Sequence, residues 1–469
     1  MKISLIFLVS ALMLINCDNP LSQTVYTADP APMVYNDVLY LFTGHDADGA
    51  SYFEMPDYQL YSTTDMQNWE NHGTILSAED FKWAEAGSAW ASQCIERNGK
   101  FYYYVTLTNS GGRNIAVAVA DNPAGPFKDA LGKPLAGPNW DYIDPTVFID
   151  SDGQAYLFWG NPSLYYVKLN EDMISYSGQI TKTDMTHEAF GGSGDKTLYT
   201  EGPWFYKRGD LYYMVFAASG IPETIAYSTS NKPTGPWKYR GIIMGNKEQG
   251  GAFTNHPGVI DFRGKSYFFY HNGRLPGGGG FTRSVAVEEF EYNEDGTFPT
   301  ITMSNEGPKQ IENFDPFKKT KATVMCFESG VELEKANDGS VHIAYINNGD
   351  YIKIRGADFK DGAKKFLASV ASEGDGGKIE IRLDKKDGTL VGTCEAPVTG
   401  GWQKWETVEC DVEGANKVHD IFFVFTGGSG NLFNFDWWQF EEFTYLLEVI
   451  KLKKIYKIKN ILIGKNMIY

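Results

Sequence analysis

Three acids stand just ahead of strand-like runs: Asp29 in ADPAPMVYND, Asp144 in YIDPTVF and Glu201 in TEGPWFYKRG. A carboxylate beside a buried strand costs free energy unless it is paired or used. Two other stretches occupy the same place, SAWAS with Trp90 and NHPGV with His256. Taken singly, Asp-Pro is a turn starter, a lone Glu is solvated and a lone His is a structural residue. A shared phase in a repeat changes that reading, because it gathers Asp29, Asp144, Glu201 and His256 on one small circle with Trp90 beside them. Three acids on a ring suit glycoside hydrolysis. One protonated carboxyl group donates to the leaving oxygen, and a second, ionised, activates water or attacks the sugar. A third raises the pKa of the acid by like-charge repulsion. Trp90 offers a flat face to a sugar ring. The sequence has no Gly-rich phosphate loop, nucleophile elbow or HExxH motif.

The repeat that carries these residues is visible in MVYNDVLYLF, CIERNGKFYYY, VFIDSDGQAYLF, WFYKRGDLYYM and VIDFRGKSYFF. Each is an apolar strand, a tight polar turn and a second strand rich in Tyr and Phe. The aligned tyrosines are Tyr40, Tyr102, Tyr156, Tyr212 and Tyr267. Further hairpins fill the intervals, and AVADNPAGPF and AYSTSNKPTGPW look like copies of one another. Each unit therefore holds about four strands. Five such units predict an all-β fold, a five-bladed β-propeller over residues 22–305 whose first strands line a central channel. A linear solenoid is the competing arrangement, but its terminal repeats should read as caps and these do not.

Composition agrees with all-β structure: 15% aromatic residues and 50 glycines in 469 residues. A formal charge of −17 argues against a nucleic-acid partner. The start, MKISLIFLVSALMLINCDNP, reads as an export signal over residues 1–17. LINC at its end resembles a lipoprotein cleavage box with Cys17 as the lipidated residue, although Asn16 stands where a small residue is usual. A cell-surface or periplasmic lipoprotein and a secreted protein both remain open. The five cysteines show no CxxC spacing, so zinc is not expected. Cys394 and Cys410 lie symmetrically about a TGGW turn; a disulfide across a hairpin and two buried thiols are both open.

On ADPAPMVYND, YIDPTVF, TEGPWFYKRG and NHPGVIDFRGKSYFFYHNGR, residues 24–305 resemble glycoside hydrolase family 43, the arabinofuranosidases and xylosidases built on a five-bladed propeller. The resemblance implies an inverting mechanism with Asp29 as general base, Asp144 as pKa modulator and Glu201 as general acid. Inverting carboxylates stand ~6.5–9.5 Å apart, leaving room for water. No cofactor is implied for the chemistry. A structural calcium in the channel is, with His256 as the associated histidine. Trp90, His256, Arg274 and Arg283 would contact substrate. SAWASQ departs from the family, where many members read WAP followed by an acid.

A polar linker, 306–319, separates this region from alternating strands with glycine turns over 320–442, a β-sandwich pattern. LDKKDGTLVGTCEAPVTGGWQKWETV and VFTGGSGNLFNFDWWQFE resemble a carbohydrate-binding module of family 6, a jelly-roll. By that resemblance Tyr345 and Trp402 sandwich a sugar ring and Asn434 hydrogen-bonds it, a sound pairing of aromatic faces with C–H groups and an amide with hydroxyls. Trp405, Trp437 and Trp438 read as core. Family members hold a calcium through early glutamates and a late aspartate. Asp436 matches the aspartate, but KATVM supplies Lys321 and Thr323 in place of the glutamates. The tail at 443–469 has six Lys and one Glu, fits neither domain and is assigned no function.

The leading expectation is an exported, monomeric glycosidase that releases α-L-arabinofuranose from arabinoxylan or a related plant polysaccharide, with the module tethering it to the polymer. An exo-acting β-xylosidase uses the same acids. A surface glycan-binding lipoprotein without catalysis is the alternative from another class.

Overall fold

The computed structural model describes residues 19–247 and 249–442. The expected export signal, Cys17 and the basic tail lie outside the described residues. The fold is nearly all β, with a four-residue helix at His187–Phe190 and a 3-10 turn at Ala78–Asp80. Two compact units emerge. One runs to Leu60 and again from Thr74 to Lys309; the other takes Tyr61 to Gly73 and the chain from Gln310 onward.

Each predicted hairpin opens a sheet of antiparallel neighbours in chain order. The sheets contain β1 (Tyr26–Tyr35), β2 (Val38–Asp46), β3 (Asp57–Thr63) and β4 (Trp69–Ser77); β5 (Trp90–Arg97), β6 (Lys100–Asn109), β7 (Gly112–Ala120) and β8 (Lys128–Asp129); β9 (Thr146–Ile149), β10 (Ala155–Trp159), β11 (Tyr165–Leu169) and β12 (Tyr176–Lys182); β13 (Tyr199–Arg208), β14 (Leu211–Ala218), β15 (Thr224–Ser230) and β16 (Lys238–Met244); and β17 (Gly258–Phe262), β18 (Lys265–Asn272) and β19 (Ser284–Phe290). The last sheet has three strands and an otherwise bare edge at β19, a hazard for any sheet. Residues from the start of the chain cover it. Leu21 N–H donates to Val285 O at 2.9 Å. The Asn19 amide both accepts from Val287 N–H and donates to Val287 O, at 3.0 Å each, as a strand backbone would.

The first strands of these sheets meet in cyclic order: β1 packs beside β5, β5 beside β9 and β9 beside β13, while β17 returns to β1. Trp204 in β13 donates its indole N–H to Val259 O in β17 at 3.0 Å, closing the circle. Aromatic side chains fill the space between sheets. Tyr103, Tyr213, Tyr267, Phe42 and Trp159 are fully buried, and each contributes roughly 2–3 kcal/mol by leaving water.

The second unit begins with the short strands β20 (Thr320–Lys321) and β21 (Val324–Met325). It has two sheets. One holds β22 (Phe327–Ser329), β25 (Tyr351–Asp358), β30 (Val418–Gly427), β27 (Gly377–Leu383) and β28 (Thr389–Ala396); the other holds β23 (Glu332–Lys335), β24 (Val341–Ala344), β31 (Asn434–Glu442), β26 (Ala363–Ala371) and β29 (Glu406–Asp411), each in that order across the sheet. Their inward residues make one core, with Trp438 and Phe423 fully buried. Cys394 and Cys410 sit on β28 and β29, edge strands of different sheets and not two arms of one hairpin. Both are free thiols, and their side chains hydrogen-bond to each other.

Candidate active site

Two of the three acids sit where the first strands of their sheets kink, and Asp144 stands two residues ahead of β9. Asp29 lies in β1 at a register shift between Ala28 and Ala31, and Glu201 lies in β13 between two such shifts. Bulges of this kind re-aim a side chain out of the ladder. Asp29 (φ 54°) and Asp144 (φ 62°) both adopt left-handed backbone directly before a proline. That conformation is disfavoured twice, by the Cβ and by the following ring, and costs on the order of 1–3 kcal/mol per residue. Asp is among the side chains that tolerate it best.

In the fourth sheet the equivalent left-handed position before proline is Gly202 (φ 58°), not Glu201. A Cβ there would lie 3.1 Å from His256 Nδ1. The acid therefore stands one residue earlier, so the shared phase of the three carboxylates is offset by one at Glu201.

Asp29, Asp144, Glu201, Trp90 and His256, which the repeat gathers, line one cavity together with Arg283, which the family resemblance names. Arg274 does not line it. Its guanidinium donates instead to Ser304 O at 3.1 Å and Asn305 Oδ1 at 2.9 Å, fastening a loop of the same unit. The cavity also contains residues that the repeat did not mark: Phe53, Met55, Arg113, Ile143, Thr254, Asn255 and His271.

Arg283 grips buried Asp46 through Nε at 2.9 Å and Nη2 at 2.7 Å, and reaches Asp29 Oδ1 with Nη1 at 3.3 Å. His271 accepts the Asp29 N–H on Nδ1 at 3.2 Å and meets Thr254 O with Nε2 at 3.0 Å. Asp144 Oδ2 accepts the Gly202 N–H at 2.9 Å, bracing the backbone beside Glu201. Asn161 donates its amide to Glu201 Oε2. The Arg113 guanidinium lies 5.4 Å from the Trp90 ring centre, a cation–π distance.

These surroundings separate the acids. Burial opposes the charge on Asp29, but Arg283, then His256 and His271, outweigh it and hold the carboxyl below its usual range. Burial pushes Glu201 up, against the Asn161 hydrogen bond and with help from Asp29. Burial also pushes Asp144 well up, helped by Glu201 and Asp29. Burial and Arg283 bring His271 down to about 3, so its ring is neutral. Burial lowers His256 as well. The arrangement pushes one carboxyl group down and another up across one cavity, the direction that acid–base hydrolysis needs.

For calcium, His256 Nδ1 stands 3.8 Å from Asp29 Oδ1, with Arg283 beside both. Among the described residues no group of three or more His, Cys, Asp or Glu is placed to hold a metal. A hard cation seeks six to eight oxygens, so these side chains do not form a dedicated calcium cage. In the second unit Lys321 Nζ lies 2.6 Å from Asp436 Oδ1 and puts an ammonium against that carboxylate.

Of the module residues, Tyr345 is half exposed and Trp402 is partly exposed. Asn434 is buried. Its amide donates to Trp402 O at 2.9 Å and lies 3.2 Å from Glu334 Oε2, so its nitrogen holds the Trp402 loop. Trp438 is core, and Trp405 packs edge-on to His342.

Residues 17–298 match the model for glycosyl hydrolases family 43, and residues 321–442 match the carbohydrate binding module of family 6. An arabinoxylan arabinofuranohydrolase of Bacillus subtilis (strain 168) is 36% identical over 90% of this chain and 92% of its own. The crystal structure of a family 43 arabinoxylan arabinofuranohydrolase from Bacillus subtilis, in complex with cellotetraose, superposes with TM-score 0.81 at 33% identity, over 91% of this chain and 98% of that one. A family 43 β-xylosidase/α-arabinofuranosidase from a compost metagenome, in a calcium-free form with xylotriose, gives TM-score 0.55 at 29% identity over 60% of this chain and 96% of its own.

Proposed function

The chain belongs to glycosyl hydrolase family 43 and is a glycosidase, and on that premise we propose that it releases α-L-arabinofuranosyl residues from arabinoxylan with inversion. The observation that carries this reading is the opposed environment of two carboxyl groups on one cavity: Asp29 held down by Arg283, Glu201 pushed up by burial. Likeness to the Bacillus subtilis arabinofuranohydrolase across both units supports the substrate. We read the five sheets of the first unit as propeller blades, supported by the cyclic contacts of their first strands.

In this mechanism Asp29 takes a proton from water, which attacks the anomeric carbon opposite the leaving oxygen. Glu201 gives its proton to that oxygen. Asp144 orients Glu201 through the Gly202 N–H and, as a neighbouring acid, keeps a proton in the pair. Trp90 and Arg113 present a stacked wall to the sugar. Tyr345 and Trp402 in the module carry the polymer. The chain is exported.

The test is sugar release from arabinoxylan by residues 18–442, beside Glu201→Ala. Arabinose from the native protein alone is the expected result. Xylose would move the specificity to β-xylosidase, one of the two activities named for the compost enzyme. No sugar from either protein, with polymer still bound, would make it a glycan-binding protein.

A further inference from the structure

A fourth carboxyl group, Glu223, lies behind the cavity in the turn that leads into β15 and has no exposed surface. It is fixed at three points. Its N–H donates to Phe253 O at 3.0 Å, its carbonyl accepts from Gln249 Nε2 at 2.8 Å, and its carboxyl Oε2 accepts the Asn255 N–H at 2.7 Å. The other oxygen, Oε1, receives no N–H or O–H. The Glu223 carboxyl group is within hydrogen-bonding reach of Glu201.

Two carboxyl groups in contact away from water cannot both ionise, and they satisfy one another when a proton lies between them. Glu201 and Asp144 are the titratable groups facing Glu223. Around Glu201 stand Asp29, Arg113 and Arg283, with the Asn161 amide. Since Oε2 already accepts a hydrogen bond, Oε1 is the oxygen left to carry the proton.

We propose that Glu223 is a positioning residue that stays protonated and donates from Oε1 to Glu201. This rests on Glu201 being the general acid. When Glu201 hands its proton to the leaving oxygen, the new carboxylate is received by two donors, Asn161 on one oxygen and Glu223 beside it. Glu223 keeps its own proton throughout, so the reaction stays balanced. A hydrogen bond to a charged acceptor is worth more than one to a neutral one, so the support is greatest where the leaving group is poorest.

The test compares native protein, Glu223→Gln and Glu223→Leu on arabinoxylan and on an aryl α-L-arabinofuranoside with an acidic phenol. Gln retains an acceptor for Asn255 and an N–H for Glu201. Leu should lose about 10–100-fold in kcat on arabinoxylan and far less on the aryl glycoside, which needs little proton donation. Its alkaline limb should move upward, because the ionised form of Glu201 has lost a donor. Gln should restore most of the lost rate and the native limb. Equal losses on both substrates, or a Gln variant as impaired as Leu, would overturn the proposal.

If Leu does not fold, the infrared band of protonated carboxyl groups at pH 7 decides. It should be present in the native protein and weaker in Glu223→Gln; an unchanged band overturns the proposal. A band that weakens as expected in a protein that releases no sugar would leave the carboxyl pair standing and discard the hydrolase reading instead.

Discussion

The cavity of the first unit is walled by buried charge. Asp29, Asp46 and Arg283 are each less than a tenth exposed, and Glu201 stands in contact with a further buried acid, Glu223. The sugar-facing residues expected in the second unit, Tyr345, Trp402 and Asn434, carry no charge, and Tyr345 is 51% exposed. A reacting centre must hold protons against water, which takes desolvated, opposed charges. A polymer platform has only to cover C–H faces, and exposed rings suffice. The two regions should therefore respond differently to substitution, pH and substrate size.

The largest difference should come from the acids. Asp29→Ala and Glu201→Ala are each expected to lower kcat on arabinoxylan by about 10³-fold or more, with polymer retention on affinity gels unchanged. A variant that loses retention along with turnover would erase the distinction between the regions.

Next comes Arg283→Met. Asp29 loses the cation that holds it ionised, so its pKa rises and the acid limb of kcat/KM moves to higher pH. The rate near neutrality should fall about 10–100-fold. Asp46 is left buried without its partner, a loss of roughly 3–5 kcal/mol of stability that thermal unfolding would register. An unmoved acid limb in a folded variant would remove Asp29 from the role of base.

Trp402→Ala tests the other region. Affinity for insoluble arabinoxylan should fall by about 10-fold, in line with the loss of one aromatic platform. Hydrolysis of a soluble aryl glycoside should stay within about twofold. Equal losses on both substrates would mean that Trp402 supports the fold and not the polymer.

The two regions also differ in how much of them could be read before the structure. The hairpin repeat points to Asp29, Asp144 and Glu201 because each acid stands in or just ahead of the first strand of its sheet at nearly one phase, set by local bulge and proline geometry. Arg113, Asn161, Glu223 and His271 come from other strands and turns at no common phase, so only the closed fold brings them in. Arg274 and Arg283 are nine residues apart in one sheet's connection, and nothing local distinguishes the one that turns inward. Gly202 hides the one-residue offset, since only its φ and the nearness of His256 reveal that glycine is the equivalent of Asp29. In the module, Trp402 is legible beside its Gly-Gly turn, and Tyr345 only through the family resemblance. The use of Asn434's nitrogen on Trp402 O depends on two segments that are distant in sequence.

The smallest expected effect is also the one that runs against activity. Burial, then Glu201 and Asp29, push the folded pKa of Asp144 well above the ordinary aspartate range. Below about pH 4 both folded and unfolded chains bind the proton and no stability is at stake. As pH rises, the unfolded chain releases it while the folded chain keeps it. The folded state therefore loses stability until pH passes the folded value. Asp144→Asn keeps an acceptor for the Gly202 N–H and has nothing to titrate. It should melt with the native protein near pH 4 and a few degrees above it at pH 7, on the order of 1 kcal/mol, while turnover collapses. No charged group in the Tyr345–Trp402 pair is removed by Trp402→Ala, so that variant should shift the melting curve by the same amount at every pH. Parallel curves for Asp144→Asn would instead mean that Asp144 is ionised in the folded protein and that its influence on Glu201 is a full negative charge.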